Sequence, residues 1–226
     1  MRILTLAGWG QPPEHVYLPG LDVTPFTYAN DNLEAALEKL SKQAAQHDAI
    51  IGWSLGGQLA AMATARGMMR PQKLVMIASP FQFVHSEILP LGMPRTQFNL
   101  FRNNYLADPS RTLHKAWELV IKGDAKAGLL RQTHLAAGKD EMLVQPWHNW
   151  LHQLDDLTCH GLDFTHFPQT LLLHGRNDVV VKPNQSEHYL KHLPDAMLVV
   201  FDEAGHAPHW HDSARAQNEI QEFLHV

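Results

Sequence analysis

The chain has 226 residues, 45% hydrophobic and 18% charged, with a formal net charge of −5. That is the composition of an ordinary globular protein, able to bury about 70% of the surface its unfolded chain exposes. The single cysteine, Cys159, excludes an internal disulfide framework, and no apolar run approaches the ~20 residues that a membrane-spanning helix needs. A lone thiol suits a reducing compartment, and residues 1–7 are too short for a secretory signal core. The expectation is a cytoplasmic monomer with neither nucleic acid nor membrane as partner.

In chain order, Arg2–Ala7 reads as a strand that runs into the turn Gly8-Trp9-Gly10-Gln11-Pro12-Pro13. Val23–Ala29 is a second strand. A helix is expected from Asp31 to Gln46, with Leu33, Leu37, Leu40 and Ala44 on one stripe and Asp31 as its cap. Asp48–Trp53 is a strand, Leu55–Gly67 a helix and Lys73–Ser79 a strand. Later come the strand Gln169–His174, a helix Pro183–His192, the strand Ala196–Phe201 and a last helix Asp212–Leu224. Such alternation with short turns predicts an α/β architecture: about six mostly parallel strands flanked by helices.

Residues 82–165 break the alternation. They contain no clear strand, and Pro90, Pro94, Pro109 and Pro146 punctuate helical stretches such as Arg111–Lys122 and Lys126–Ala137. The expected organisation is a core from residues 1–81 and 166–226, with 82–165 inserted as a helical cap. Residues 91–150 carry eight Lys/Arg and five Asp/Glu, so this stretch is +3 while the remainder of the chain is −8. A basic lobe on an acidic body suits an acidic partner, although a solvated helical face has the same composition.

The chemistry centres on Gly52-Trp53-Ser54-Leu55-Gly56-Gly57, which joins an apolar strand to a helix. Glycines at 52 and 56 permit a sharp reversal that lifts the Ser54 hydroxyl above the sheet. A serine hydroxyl needs a base, and the base needs an orienting acid. Asp178 follows the strand ending at His174, and His206 follows the last strand, giving the chain order Ser54, Asp178, His206. Asp178 could instead only cap its turn, and His206 could be a packed loop histidine. Asp202 and Glu203 are fallback acids. His206, His209 and His211 could form a metal cluster, but no carboxylate or cysteine at ligand spacing accompanies them. His174 reads as structural. Two N–H donors for an oxyanion are expected from Leu55 and from Trp9 in the first turn. Trp9, Trp53 and Phe81 are candidate walls of the substrate pocket, with packing as the alternative for the two tryptophans.

Together, Gly8-Trp9-Gly10, Gly52-Trp53-Ser54-Leu55-Gly56-Gly57, Ala78-Ser79-Pro80 and Gly205-His206-Ala207-Pro208 resemble the α/β-hydrolases. Within them they are most similar to the pimeloyl-acyl-carrier-protein methyl ester esterases of biotin synthesis. The resemblance implies hydrolysis of a methyl ester on an acyl chain carried by an acidic carrier protein, with no metal or cofactor. It also implies docking of that carrier on the basic cap, for which Arg102, Arg111, Lys115 and Arg131 are the candidates. In this reading the chain starts at the family's third strand, without the first antiparallel hairpin, and Ala7 stands where many relatives have His. A thioesterase, another esterase or a carbon–carbon bond hydrolase shares the same pattern, and a catalytically silent binding protein on this fold is the alternative of another class.

Overall fold

A computed structural model of the chain describes residues 1–16, 18–135 and 147–225. Its six strands are β1 (Ile3–Leu6), β2 (Val23–Phe26), β3 (Ala49–Trp53), β4 (Lys73–Ile77), β5 (Gln169–Gly175) and β6 (Met197–Phe201). They form one sheet in the order β2-β1-β3-β4-β5-β6, and every pairing is parallel. The expected "mostly parallel" sheet is therefore wholly parallel among the described residues. All residues of β1 and β3 are buried, as a sheet covered on both faces requires. The edge strands β2 and β6 are wetter. Pro25 is tolerated on β2 because an edge strand does not need every N–H for a ladder.

The helices of the sheet are α1 (Leu33–Ala44), α2 (Leu55–Ala65), α7 (Asn184–Leu190), α8 (Pro208–His211) and α9 (Ser213–His225). Helix α1 buries Ala36, Leu37, Leu40 and Ala44. Its cap is Asn32, whose side chain accepts from the Ala35 N–H, and not the expected Asp31. Asp31 lies one residue too early for that bond and pairs with Lys39 instead, at 3.2 Å. Helix α2 buries ten of its residues, from Leu55 to Thr64, because it packs beneath the sheet's centre against β1, β3 and β4. The chain leaves β1 for β2 on one side and returns to β3 on the other. The loops after β1 and β3 therefore diverge, which opens a crevice at the carboxyl ends of these strands.

The middle segment supplies α3 (Arg95–Ala107), α4 (Pro109–Ile121), the single turn α5 (Ala127–Leu130), a π-helical turn Arg131–Leu135 and α6 (His148–Leu154). The expected helix Lys126–Ala137 is thus split, and its last two residues lie outside the described ones, as do Lys139, Asp140, Glu141 and Pro146. Helix α3 escapes a periodicity search because it buries only Phe98 and Tyr105. Aromatic side chains dock this segment on the strand ends. Trp117 donates its indole N–H to the Gly10 carbonyl (2.8 Å) and Trp150 to the Tyr28 carbonyl (3.1 Å). The Trp9 ring meets Phe101, Tyr105 and Trp147 edge-on.

A histidine–tryptophan cluster adds to this docking. His134 stacks on Trp210 at 4.3 Å, and His15 sits between Trp117 and Trp210. His209 is buried and donates its Nε2–H to the His15 carbonyl (3.0 Å). Burial, with the neighbouring His134 imidazole, pushes His15 down to about 4. Burial likewise outweighs the His15 carbonyl bond and pushes His209 down to about 3. Both are neutral in the fold, so above pH ~6.5 they contribute no pH dependence. As pH falls below that value the unfolded chain takes up protons that the folded chain refuses, and stability drops until the folded values are reached. For His209 the loss by pH ~5 is about 2 kcal/mol. His209→Gln keeps an N–H for the His15 carbonyl, so it should reduce the difference between denaturation midpoints measured near pH 8 and pH 5. An unchanged difference would place the acid sensitivity elsewhere.

Candidate active site

Strand β3 ends at Trp53, and α2 begins at Leu55, so Ser54 alone carries the reversal. Its backbone sits at φ 53, ψ −123, a left-handed conformation that costs a non-glycine residue on the order of 1–3 kcal/mol. The surroundings enforce it. The Ser54 N–H donates to the Ile77 carbonyl (2.8 Å), and its own carbonyl accepts from Gly57 (3.0 Å) and Gln58 (3.1 Å). A Cβ at Gly52 would strike Gly57, and one at Gly56 would strike the carbonyls of Leu6 and Ala7. The glycines flanking Ser54 are therefore fixed by close backbone approach; neither has a positive φ, and Ser54 itself carries the unusual turn conformation.

Asp178 lies just past β5 and is buried. One oxygen, Oδ1, accepts from the N–H groups of Val180 (2.8 Å) and Val181 (2.9 Å). The other, Oδ2, lies 2.7 Å from His206 Nδ1 and 3.3 Å from His174 Nε2. Turn capping and histidine orientation, alternatives in the sequence, are thus both performed, one by each oxygen. Burial pushes the Asp178 carboxyl up, but the adjacent His206 imidazole and the bonds from His174 and His206 outweigh it and hold the group at about 2. An ionised carboxylate only accepts, so His206 Nδ1 carries its proton. That leaves the Nε2 lone pair facing Ser54 Oγ at 2.9 Å. Ser54, His206 and Asp178 form one continuous hydrogen-bonded chain. The fallback acid Asp202 is exposed and pairs with Arg176, and Glu203 is also exposed.

The other residues divide. Gly8 brings the β1 loop against the nucleophile, since a Cβ there would lie 3.1 Å from Ser54 Cβ. Trp9 lines the crevice beside it. Leu55 is the first residue of α2, so its N–H has no carbonyl one turn back. Trp53 borders the crevice, but its side chain is fully buried and its indole donates to the His206 carbonyl (2.9 Å), so it holds the base in place. Phe81 does not reach the crevice. It is buried among Phe164, His188, Tyr189 and His192, because Gln185 captures the backbone N–H groups of residues 81 and 82 and turns the side chain away. Phe83, two residues on, takes the place expected of Phe81.

The crevice at Ser54 is a narrow, mainly apolar cavity of about 70 Å³ that reaches Phe101 of α3, Leu119 and Val120 of α4, and Val180. A larger cavity of about 590 Å³ lies beside it, between Trp117, Trp147, Tyr28 and Lys39; among their described linings the two share Gln11, and the larger does not include Ser54. The chemistry sits in the smaller one. The histidines once grouped as a metal cluster diverge: His206 turns to Ser54, His209 to the His15 carbonyl and His211 to Asp124 (2.8 Å). Among the described residues no group of three or more His, Cys, Asp or Glu is placed to hold a metal ion. No helix among them is long and apolar enough to cross a membrane.

Of the basic candidates on the middle segment, Arg131 is clamped on Glu118 through both oxygens, at 2.6 to 3.1 Å, and Arg102 lies 3.8 Å from Asp155. Arg111 and Lys115, exposed on α4, have no carboxylate partner among the described residues.

Comparisons with known proteins agree with this geometry. The family model described as the alpha/beta hydrolase family matches residues 3–217. A protein of Nitrosomonas europaea named pimeloyl-acyl-carrier-protein methyl ester esterase is 32% identical over 80% of this chain and 72% of its own. One of the same name from Aromatoleum aromaticum is 28% identical over 91% of each. Among solved structures, a bromoperoxidase from Bacillus anthracis superposes with a TM-score of 0.86 at 15% identity, covering 100% of this chain and 92% of that one. An esterase from Exiguobacterium antarcticum does so with 0.80 at 16%, covering 100% and 92%. The strand–elbow–helix unit, the parallel sheet and the family match converge: this chain belongs to the alpha/beta hydrolase family.

Proposed function

We propose that the protein is a serine carboxylesterase acting on the methyl ester of a pimeloyl chain carried by an acyl-carrier protein. The observation that carries the esterase reading is the Asp178–His206–Ser54 chain at 2.7 and 2.9 Å, with the tautomer that leaves Nε2 free to accept a proton. The named relatives and the basic cap support the carrier-bound methyl ester.

In this mechanism Ser54 Oγ attacks the ester carbonyl carbon while its proton passes to His206 Nε2. The carbonyl oxygen becomes an oxyanion, and the N–H groups of Leu55 and Trp9 are its proposed donors, Leu55 aided by the positive end of α2. His206 then gives its proton to the departing methoxide, methanol leaves, and an acyl-Ser54 ester remains. Water attacks that ester, delivers a proton to Nε2, and the proton returns to Ser54 Oγ as the acid is released. Asp178 stays ionised throughout and stabilises the imidazolium that forms twice per cycle.

Residues 82–165 act as a cap over Ser54, since α3 and α4 supply Phe101, Leu119 and Val120 to the crevice. Arg111 and Lys115 are its best docking candidates, because Arg102 and Arg131 already have partners within the cap.

Ser54→Ala should abolish turnover and labelling by a fluorophosphonate probe, and retained turnover would sink the serine mechanism. Asp178→Asn should lower kcat by roughly 10⁴, since the amide favours the wrong tautomer. Arg111→Glu with Lys115→Glu should raise KM for the carrier-bound ester while sparing a p-nitrophenyl ester. Equal effects on both substrates would remove the docking role, and wild-type protein that cleaves only the small ester would end the carrier reading.

A further inference from the structure

Helix α4 ends in a turn, residues 120–125, that lies between the loop of the acid and the loop of the base. The Val120 carbonyl accepts the backbone N–H of His206 itself (3.0 Å), and the Ala125 N–H donates to the Glu203 carbonyl (3.0 Å). Gly123 has φ +86, and a Cβ there would lie 2.6 Å from the carbonyl oxygen of Asn177, the residue before Asp178. On the other side Gly205 packs against the same turn, its absent Cβ falling 3.1 Å from the Val120 carbonyl and 3.2 Å from that of Lys122. The turn thus touches residues adjacent to both members of the proposed acid–base pair.

At the centre of this turn is a carboxylate that the ester chemistry does not use. Asp124 is buried, and three donors converge on it. Its Oδ2 accepts the Gly205 N–H (2.9 Å), and its Oδ1 accepts the Lys126 N–H (2.7 Å) and faces His211 Nδ1 (2.8 Å). Lys126 closes the arrangement by donating its ammonium to the His211 carbonyl (2.7 Å). A buried carboxylate is held only where its hydrogen bonds repay desolvation, and here each bond ends on the segment that carries His206 or on Lys126, the residue just after the turn.

We propose that Asp124 is a positioning residue for the base: through the Gly205 N–H it fixes the backbone from which His206 reaches both Asp178 and Ser54. The inference rests on the Ser54–His206–Asp178 reading above. Asp124 touches no reacting atom and acts only through the residue before His206. Because it stands in the cap, it makes the placement of the base conditional on a seated cap, so the cap controls more than access to the crevice.

An asparagine at this position cannot satisfy all three donors, because whichever way the amide is turned its NH₂ faces an N–H group. The test is Asp124→Asn, assayed on a p-nitrophenyl ester with folding checked by circular dichroism and thermal melting. Displacing reacting groups by about 1 Å costs up to about 10²-fold in rate, so kcat should fall by tenfold or more with KM little changed. The downfield proton resonance of the His206–Asp178 hydrogen bond should shift or broaden in the folded variant. His211→Ala, at the rim of the cluster, removes one donor and leaves the Gly205 bond, so it should show a smaller fall, and His211→Gln should recover part of it. A folded Asp124→Asn protein with wild-type kcat, or with an unaltered resonance, overturns the proposal, as does a loss that only tracks the unfolded fraction. If Asp124→Asn fails to fold, a folded His211→Ala protein with wild-type kcat and resonance overturns it. Ser54→Ala, run alongside, separates the two levels: activity retained there defeats the serine mechanism, not the role of Asp124 alone.

Discussion

A single buried carboxylate organises the functional end of this molecule. Asp178 is removed from water and yet ionised, which is tolerable only because both oxygens are occupied. One is pinned by two backbone N–H groups of its own turn, and the other faces two imidazoles. The pinning fixes the direction of the free lone pair, and that direction fixes the plane of His206. The proton on Nδ1 then dictates a bare Nε2 toward Ser54. Loss of any of these restraints would leave a buried charge with fewer donors than its lone pairs require, a larger penalty than the net worth of the single bond removed.

The sheet exists, in functional terms, to bring three loops to this carboxylate. β3, β4 and β5 are adjacent and parallel, so their carboxyl ends lie side by side, with β6 supplying the histidine next to β5. The strain stored at Ser54 is held by backbone contacts to β4 and by glycines too close to neighbouring chain to accept a side chain. Rigid packing of a buried parallel sheet is what makes such strain sustainable. The middle segment joins the arrangement from above. It docks through indole N–H groups onto backbone carbonyls and through the 120–125 turn onto the loops of acid and base. The middle segment and the sheet's loops therefore share hydrogen bonds at the site itself.

Much of this was legible in the chain. Strands β1, β3, β4 and β5 announce themselves as short apolar runs because buried parallel strands need no alternation, and β6 is apolar as well, whereas the edge strand β2 carries Thr24 and Pro25. Ser54, Asp178 and His206 are legible because each sits immediately after such a run, and sheet topology converts that position into proximity. The cap was harder. Helix α3 shows too thin an apolar stripe, and the stretch from Lys126 breaks into a turn of α-helix and a π turn where a continuous helix was expected. Phe81 was misplaced as a pocket wall because nothing local reveals that Gln185, over a hundred residues away, binds the backbone beside it. Asp31 and Asn32 are adjacent candidates for one cap, and only the trajectory of the chain selects Asn32.

What the sequence by itself determined is the architecture and the three residues that the structure joins in one hydrogen-bonded chain, because both depend on local pattern: strand, turn, helix, and the residue that follows. What only the tertiary structure decided is which other side chains serve those groups. His174 beside Asp178, Trp53 beneath His206 and Asp124 against Gly205 are each set by contacts between distant segments, and no periodicity encodes a contact across the fold. The same holds for the basic cap. Composition shows its charge, whereas pairing with Glu118 and Asp155 occupies Arg131 and Arg102 and leaves Arg111 and Lys115 exposed on α4 without a carboxylate partner among the described residues.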